Sequence, residues 1–267
     1  TWAALETAAL RVAPNMNSQE VANLSLAYAK LGKSQPEALK AGVRGGGVRG
    51  GMAAAGYEAA RHAVTSVPDR FWIYAAAGTA MYSSVIPFWF YGSGYLQRSH
   101  GFSVAAADSL MVVPELMLAV LSIPIGVAVD ALKISFRVQQ TGFAVCAALI
   151  AASHAQLAAG GNPVTGVLGL GFGYAACNQL MWAGFPAVCP PDLMSLGAGI
   201  VACFINLGST AVPVAIGTIR AAPGLSEARA DVAMFIMFSV SALLAAALAS
   251  VVVRGTFDGG GGGGGGG

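Results

Sequence analysis

The stretch Leu193–Ile219 reads LMSLGAGIVACFINLGSTAVPVAIGTI and contains no Asp, Glu, Lys or Arg. Two further stretches, Val138–Pro191 and Val232–Val253, are likewise free of charged residues. An α-helix needs about 20 apolar residues to cross about 30 Å of hydrocarbon, because each residue advances about 1.5 Å along the axis. These stretches therefore predict helices that cross a membrane.

The composition of the whole chain supports the same prediction. Hydrophobic residues make up 56% of the sequence and charged residues only 10%, which is too few charges to cover the surface of a soluble domain of this size. The net charge of +2 is too small to indicate a nucleic acid or an acidic partner. We therefore expect an all-α, multi-pass integral membrane protein whose main partner is the lipid bilayer.

Six apolar runs follow one another between Phe71 and Val253, separated by short loops. The predicted spans are 71–95, 107–130, 135–157, 164–188, 195–219 and 231–253, so the predicted fold is a six-transmembrane-helix bundle. An even number of spans places both ends of the bundle on one side. More basic residues flank the spans on that side than on the other, which predicts that it faces the cytosol. The predicted inside residues are Arg61, Arg70, Lys133, Arg137 and Arg254, and the outside ones are Arg98, Arg220 and Arg229.

The flanking regions predict three smaller segments. Residues 1–42 are predicted to form two short helices, and the segment from Met16 to Gly32 resembles one helical-hairpin repeat of organellar RNA-binding proteins. A single repeat cannot bury its own apolar face, so a working RNA-binding module is disfavoured. Residues 43–70 are expected to be a Gly/Arg-rich linker, and residues 254–267 a Gly-rich disordered tail. The chain begins at Thr1, with no signal-peptide pattern near this end, and we expect a fragment.

The loop after the second span carries a gating motif. Gly126 and Asp130 end the span, and Lys133 and Arg137 follow. This pattern resembles the glycine–acid–basic loop signature of the major facilitator superfamily. The resemblance implies that the glycine allows close helix approach and that the charges pair differently in the inward and outward states. The alternative is an ordinary solvated turn.

A longer set of motifs points to one branch of that superfamily. Its members are Pro87-Phe88, Gly101-Phe102-Ser103, Ala105-Ala106-Ala107, Gly171-Phe172-Gly173-Tyr174, Trp182, Pro190, Gly199 and Asn206-Leu207-Gly208. In order and spacing they resemble the C-terminal half, helices seven to twelve, of the lysosomal dipeptide transporters. Two departures concern the cytosolic loops: Pro191-Asp192 replaces a Glu-His-type pair, and the second basic residue is displaced to Arg137.

The resemblance implies a function and partners. The chain would be half of a secondary active or facilitative transporter that moves small peptides out of the lysosome by alternating access. Its partners would be a small-molecule substrate such as a dipeptide, a missing N-terminal six-helix half, and an accessory membrane glycoprotein. No cofactor is expected, and the location would be the lysosomal membrane.

Several polar residues within the spans are candidates for the substrate site or for helix movement. An uncompensated charge in hydrocarbon is costly, so Glu115 is expected either to face a cavity or to lie near enough the outer interface to be hydrated. The amides could bind substrate or join helices, the aromatic rings could stack on a ligand or simply pack, and the prolines could mark functional or ordinary kinks. The proposed substrate-binding residues are Glu115, Tyr174, Asn178, Trp182 and Asn206, and the proposed structural or gating residues include Pro114 and Pro124 as well as the loop motif.

The same spans bear on other possible functions. His154 is expected to be an interfacial histidine, with a proton-linked role as the alternative. The spans contain no nucleophile elbow around a serine and no His-x-x-x-His pair, so an enzyme is not predicted. Two alternatives remain: a facilitator for another solute, such as a sugar, an organic anion or a drug, and a membrane-anchored RNA-binding repeat protein.

Overall fold

The computed structural model describes residues 67–258, with side chains up to Arg254. All of them belong to one unit of the chain, which begins at Val67. The repeat-like segment, most of the linker and the Gly-rich tail lie outside the described residues.

The described part of the chain is all helical and contains six long helices. They are α1 (Asp69–His100), α2 (Val104–Ala131), α3 (Phe136–Ala158), α4 (Pro163–Gly184), α5 (Met194–Arg220) and α6 (Glu227–Asp258). Two 3₁₀ turns, Phe185–Ala187 and Pro191–Leu193, connect α4 to α5. Each helix coincides with one predicted span to within a few residues, so the prediction of an all-α bundle is confirmed for these residues.

Local sequence explains where the helices begin and end. Ser103 Oγ accepts a hydrogen bond of 3.2 Å from the Ala106 amide at the start of α2, and Asn162 Oδ1 accepts one of 2.9 Å from Val164 before α4. Such caps satisfy amides that have no partner within the helix. Gly101 ends α1 with φ +67°, a left-handed conformation that glycine adopts without strain.

The start of α6 differs from the predicted span, which begins at residue 231. The helix begins at Glu227, and the Arg229 amide donates to Ser226 Oγ at 3.4 Å. A serine cap followed by an acidic first residue favours an early helix start, because the hydroxyl accepts a hydrogen bond from a first-turn amide and the carboxylate interacts favourably with the positive end of the helix dipole. Asp231 therefore lies in the second turn of the helix and not at its start.

The helices pack in a defined order. α3 and α6 lie against each other; α4 packs on α3, and α1 packs on α6. α2 packs mainly on α4, and α5 mainly on α1, while α1 and α2 also touch. The face opposite the α3–α6 pair is thus formed by α1, α2, α4 and α5.

Four of the described helices are long and apolar enough to cross a membrane, judged by length and composition. They are α2, α3, α5 with its preceding 3₁₀ turn, and α6. In α1 and α4 the apolar runs are interrupted by glycines and polar side chains. Many residues of these two helices are buried within the bundle. A multi-pass membrane protein is compatible with these helices.

Glycines of α4 lie at close contacts with neighbouring helices. A Cβ atom at Gly171 would lie 3.0 Å from the Cα of Pro114 in α2. A Cβ atom at Gly173 would lie 3.0 Å from the carbonyl oxygen of Cys146 in α3. Both distances are tighter than most real Cβ contacts, so α4 approaches two neighbours closely at positions without side chains.

The expected interfacial position of His154 is wrong. Its side chain is fully buried and lies among three phenylalanine rings, with centroid distances of 5.7 Å to Phe88, 6.0 Å to Phe235 and 5.0 Å to Phe238. The helical face of α3 that carries His154 turns toward α1 and α6, and this orientation overrides the position of the residue near the helix end.

Candidate functional site

A polar and aromatic cluster joins α1, α2 and α4 near the middle of these helices. Trp89 Nε1 of α1 donates a hydrogen bond to Glu115 Oε1 of α2. The Trp89 ring meets the Tyr174 ring of α4 edge-on, with centroids 5.6 Å apart and an interplanar angle of 79°. Glu115 and Tyr174 each lie eleven residues into their helices, about 17 Å along the axis. Glu115 and Tyr174 therefore lie far from the ends of their helices.

The same cluster continues along α4 through a second α1 residue. The rings of Tyr82 and Tyr174 meet edge-on at 5.8 Å. The Tyr82 hydroxyl donates to Asn178 Oδ1 and accepts a hydrogen bond of 3.4 Å from Trp182 Nε1. We call this set the central cluster; its members are Tyr82, Trp89, Glu115, Tyr174, Asn178 and Trp182.

The burial of its members shows that the central cluster borders an open face. Tyr174 is buried, whereas Tyr82, Trp89 and Asn178 are partly buried. Glu115 is exposed, and Trp182 is 37% exposed. A ligand approaching this face would meet one carboxylate, one amide and the edges of several aromatic rings.

Four of the five predicted substrate-binding residues belong to the central cluster. The fifth, Asn206, is exposed on α5, and its side-chain amide donates a hydrogen bond of 2.8 Å to the Ala202 carbonyl of its own helix. The structure thus assigns Asn206 a local bond. Tyr82 and Trp89, which connect the predicted residues, were not predicted.

The two prolines of α2 do not interrupt the helix. Pro114 is buried against α4, one residue before Glu115, and Pro124 is exposed. α2 remains continuous from Val104 to Ala131 across both. Pro114, packed on α4, can fix the position of its neighbour Glu115. Pro124 is not part of the central cluster.

The predicted gating loop lies at the junction of α2 and α3. Lys133 adopts a left-handed conformation, with φ +47°, and its amide donates to the Asp130 carbonyl at 3.2 Å. Within the part of the chain that the structure describes, no ion pair joins Asp130 to either Lys133 or Arg137. A Cβ at Gly126 would meet only Gln179 Oε1, at an ordinary 3.8 Å, so none of the described helices approaches closely enough to require a glycine there.

An ion-pair cluster, absent from the sequence predictions, ties α1, α5 and α6 together at the opposite end. The Asp231 carboxylate is 4% exposed and accepts hydrogen bonds from Arg98, at 3.0 Å, and from Arg220. Glu227 completes the set with a distance of 2.7 Å to Arg220. The Arg220 guanidinium also lies over the Tyr91 ring, 5.5 Å from its centroid. We call Arg98, Arg220, Glu227 and Asp231 the four-charge cluster.

No model of a protein family, no curated protein and no solved structure matches this chain. The resemblance to the major facilitator superfamily therefore stays a prediction from the motifs. Among the described residues, no group of three His, Cys, Asp or Glu side chains could hold a metal ion.

Proposed function

We propose that this chain is one six-helix half of a secondary active or facilitative transporter that moves a small organic solute by alternating access. The position of Glu115 carries the proposal: it is exposed, lies near the middle of α2, and takes a hydrogen bond from Trp89. A carboxylate facing hydrocarbon at this depth costs about 3 kcal/mol or more. The face bearing Glu115 therefore requires a water-filled cavity or a second protein bundle.

The proposal includes all six long helices as membrane spans. α1 and α4 are less apolar than the other four, yet α4 with 22 residues already reaches about 33 Å. Both contribute to the central cluster, and a helix that lines an aqueous cavity carries more polar residues than one surrounded by lipid. In a transporter of two bundles, the substrate site lies between them near the midplane. The motif resemblance assigns this bundle to the C-terminal half of a major facilitator fold.

The cargo is proposed to be a dipeptide or a similar small peptide, exported from the lysosome, as the family resemblance implies. The central cluster supports a substrate that carries an ammonium or guanidinium group. Glu115 would pair with the cation, and the neighbouring rings of Trp89 and Tyr174 could offer cation–π or apolar contact. A carboxylate at this position disfavours an organic anion, which is one of the alternative cargoes.

Uptake into proteoliposomes tests the proposal directly. The chain is reconstituted together with a second six-helix bundle, encoded ahead of Thr1 or supplied as a separate chain, and offered a labelled Lys-containing dipeptide. Saturable uptake that unlabelled dipeptide competes away is the expected result. Uptake of a sugar with no uptake of dipeptide would support the alternative cargo. No uptake of any tested solute, in vesicles shown to contain both bundles, would contradict the transporter.

A further inference from the structure

A cavity of about 240 Å³ lies where the end of α1, the end of α3 and the start of α6 meet. Much of its lining is apolar, and the side chains of Leu157 and Phe235 in it are buried. Since an apolar cavity of about 150 Å³ holds benzene, this one is large enough for a single ring with a short substituent. Its size favours a small organic molecule over a whole lipid.

Asp231 contributes a carboxylate to the lining of this cavity. Its Oδ1 accepts the hydrogen bonds from Arg98 and Arg220, neither of which belongs to the lining. Its Oδ2 is buried and has no hydrogen-bond partner within the part of the chain that the structure describes. A buried acceptor without a donor is costly to stability. Oδ2 is therefore the oxygen that a donor on a ligand could satisfy.

His100 adds a second acceptor to the lining. The Tyr95 hydroxyl donates its proton to the Leu157 carbonyl at 2.8 Å. The contact of 3.0 Å between that hydroxyl and His100 Nε2 therefore requires the imidazole to donate through Nε2. In a neutral histidine of this tautomer, Nδ1 is an acceptor. Two acceptors in one cavity favour a ligand that donates hydrogen bonds.

The charges around Asp231 are already balanced. The four-charge cluster contains two arginines and two acids, and each arginine pairs with both acids. A bound ammonium or carboxylate group would add an uncompensated charge beside the buried Asp231, which is unfavourable. What Oδ2 lacks is therefore a hydrogen-bond donor and not a counter-ion.

We infer that this cavity binds a small neutral alcohol or phenol, whose hydroxyl donates to Asp231 Oδ2 and whose apolar body packs against Leu157 and Phe235. The site is formed by α1, α3 and α6 beside the four-charge cluster, whereas the central cluster joins α1, α2 and α4. The inference therefore does not depend on the proposed transport function.

Ligand titration of the purified full chain in lipid nanodiscs tests the inference. The probe is para-fluorobenzyl alcohol, followed by fluorine NMR, with protein-free nanodiscs as the baseline for partition into lipid. Saturable binding of one molecule per chain is the expected result. The matched compound para-fluorotoluene has the same ring and no hydroxyl, and it should bind about tenfold more weakly, because it cannot donate to the carboxylate.

Three results of the titration would overturn the inference. One is the absence of saturable binding of para-fluorobenzyl alcohol. Another is equal binding of para-fluorotoluene, which would mean that the cavity recognises an apolar ring alone. The third is tighter binding of para-fluorobenzylammonium or para-fluorobenzoate than of the alcohol, which would mean that the site selects a charge.

Two leucine substitutions on α3 test whether this cavity is the binding site. A158L places a larger side chain in the lining and keeps Asp231, so it should weaken binding of the alcohol about tenfold or more. A152L is the matched control, because Ala152 is exposed on the same helix and is not part of the lining. Its affinity should equal that of the parent chain. Unchanged binding in A158L, or an equal loss in A152L, would contradict the assignment of the site.

Asp231→Asn tests the polarity of the contact. With the asparagine oxygen facing the two arginines, the amide group takes the place of Oδ2, so a donor replaces the acceptor. The variant should lose affinity for the alcohol and gain affinity for para-fluoroacetophenone, which offers a carbonyl acceptor. The titration is made at a temperature where circular dichroism shows the variant to be folded. Equal affinity of the parent chain and the variant for the alcohol would contradict donation to Asp231 Oδ2.

Discussion

In the proposed function, Glu115 combines a cost in stability with a use in recognition. Its carboxylate lies about 17 Å along α2 and accepts a hydrogen bond from Trp89 Nε1. A glutamine at this position keeps the size and can keep an oxygen acceptor for Trp89, while it removes the charge. The substitution therefore isolates the charge from the geometry of the central cluster.

In the assembled transporter, Glu115→Gln should lower the apparent affinity for Lys- or Arg-containing dipeptides by about 10- to 100-fold. A charge-assisted hydrogen bond contributes about 1.5–3 kcal/mol, and each 1.4 kcal/mol is tenfold in affinity. Neutral dipeptides should be affected much less. Competition uptake assays with both substrate types measure the difference.

Asp108→Asn is the control for this prediction. Asp108 lies on the same helix but near its start, where it accepts a hydrogen bond of 2.6 Å from Ser93 Oγ, and its loss should leave both affinities nearly unchanged. An equal loss for cationic and neutral dipeptides in Glu115→Gln would contradict direct pairing and indicate a proton-linked or structural role.

Asp231 is the residue whose role depends most on burial. Its carboxylate is almost fully enclosed and bridges Arg98 of α1 and Arg220 of α5. Asp231→Asn removes the negative charge that Arg98 and Arg220 share. We expect the free energy of unfolding to fall by about 2–3 kcal/mol, and the unfolding temperature by about 4–12 °C. Thermal unfolding of the purified chain in detergent checks this.

The matched control is Glu227→Gln in the same four-charge cluster. The Glu227 side chain is 68% exposed, and exposed ion pairs contribute about 0–1 kcal/mol. The two variants should therefore differ clearly in unfolding temperature. Equal effects would mean that the burial of Asp231 does not decide its contribution.

Part of the central cluster was predictable from residue spacing. Tyr174, Asn178 and Trp182 recur every four residues and lie on one face of α4, so their joint position follows from helix geometry. Tyr82 and Trp89 are seven residues apart on α1, a spacing that also shares a face. Their contacts with α4 depend on which helices become neighbours, and that helix pairing cannot be read from a single sequence. Asp231 was missed because a charge beside a loop is normally solvated.

At the scale of helices, the bundle depends on glycines at contact positions. The backbone carbonyl of Cys146 lies so near Gly173 that a methyl group would meet it at 3.0 Å. Gly173→Ala should lower the free energy of unfolding by about 1–3 kcal/mol, the usual cost of overpacking, because α3 and α4 must separate to fit the methyl group. Unfolding in denaturing detergent measures the change.

Gly199→Ala on α5 provides the comparison for Gly173→Ala. A Cβ there would meet nothing within 4 Å, and alanine favours helix over glycine by up to about 1 kcal/mol. We therefore expect neutral or increased stability. A loss of stability in Gly199→Ala as large as that in Gly173→Ala would contradict the packing explanation.

The helix boundaries were easier to predict than the membrane topology. Serine or asparagine caps and left-handed glycines mark the ends in the sequence, so the six predicted segments coincide with six helices. Hydropathy is a weaker guide to which of these helices cross the membrane, because α1 and α4 carry polar residues of the central cluster as well as apolar residues. Of the described helices, four meet the length and composition of a span without further argument.

For the whole molecule, reporter tags distinguish six membrane spans from four. If all six helices cross, three of them lie between the loop at Gly160 and the segment after Arg254, so tags at these two places should report opposite sides. If only the four most apolar helices cross, two spans separate the tags, and they should report the same side. Glycosylation-site and cysteine-labelling reporters in intact membranes give independent readings. We expect opposite sides, with the segment after Arg254 in the cytosol.

The last prediction follows from the openness of the face that bears Glu115. Alternating access requires a site that is covered from each side in turn, and a single bundle with an exposed carboxylate has nothing to close over it. Reconstituted alone, this chain should show no saturable dipeptide uptake above that of empty vesicles. The same preparation should regain uptake when the second bundle is added. Clear uptake by the chain alone would contradict the two-bundle mechanism, and a cross-linked dimer joined through the α2 face would then identify a second copy as the missing cover.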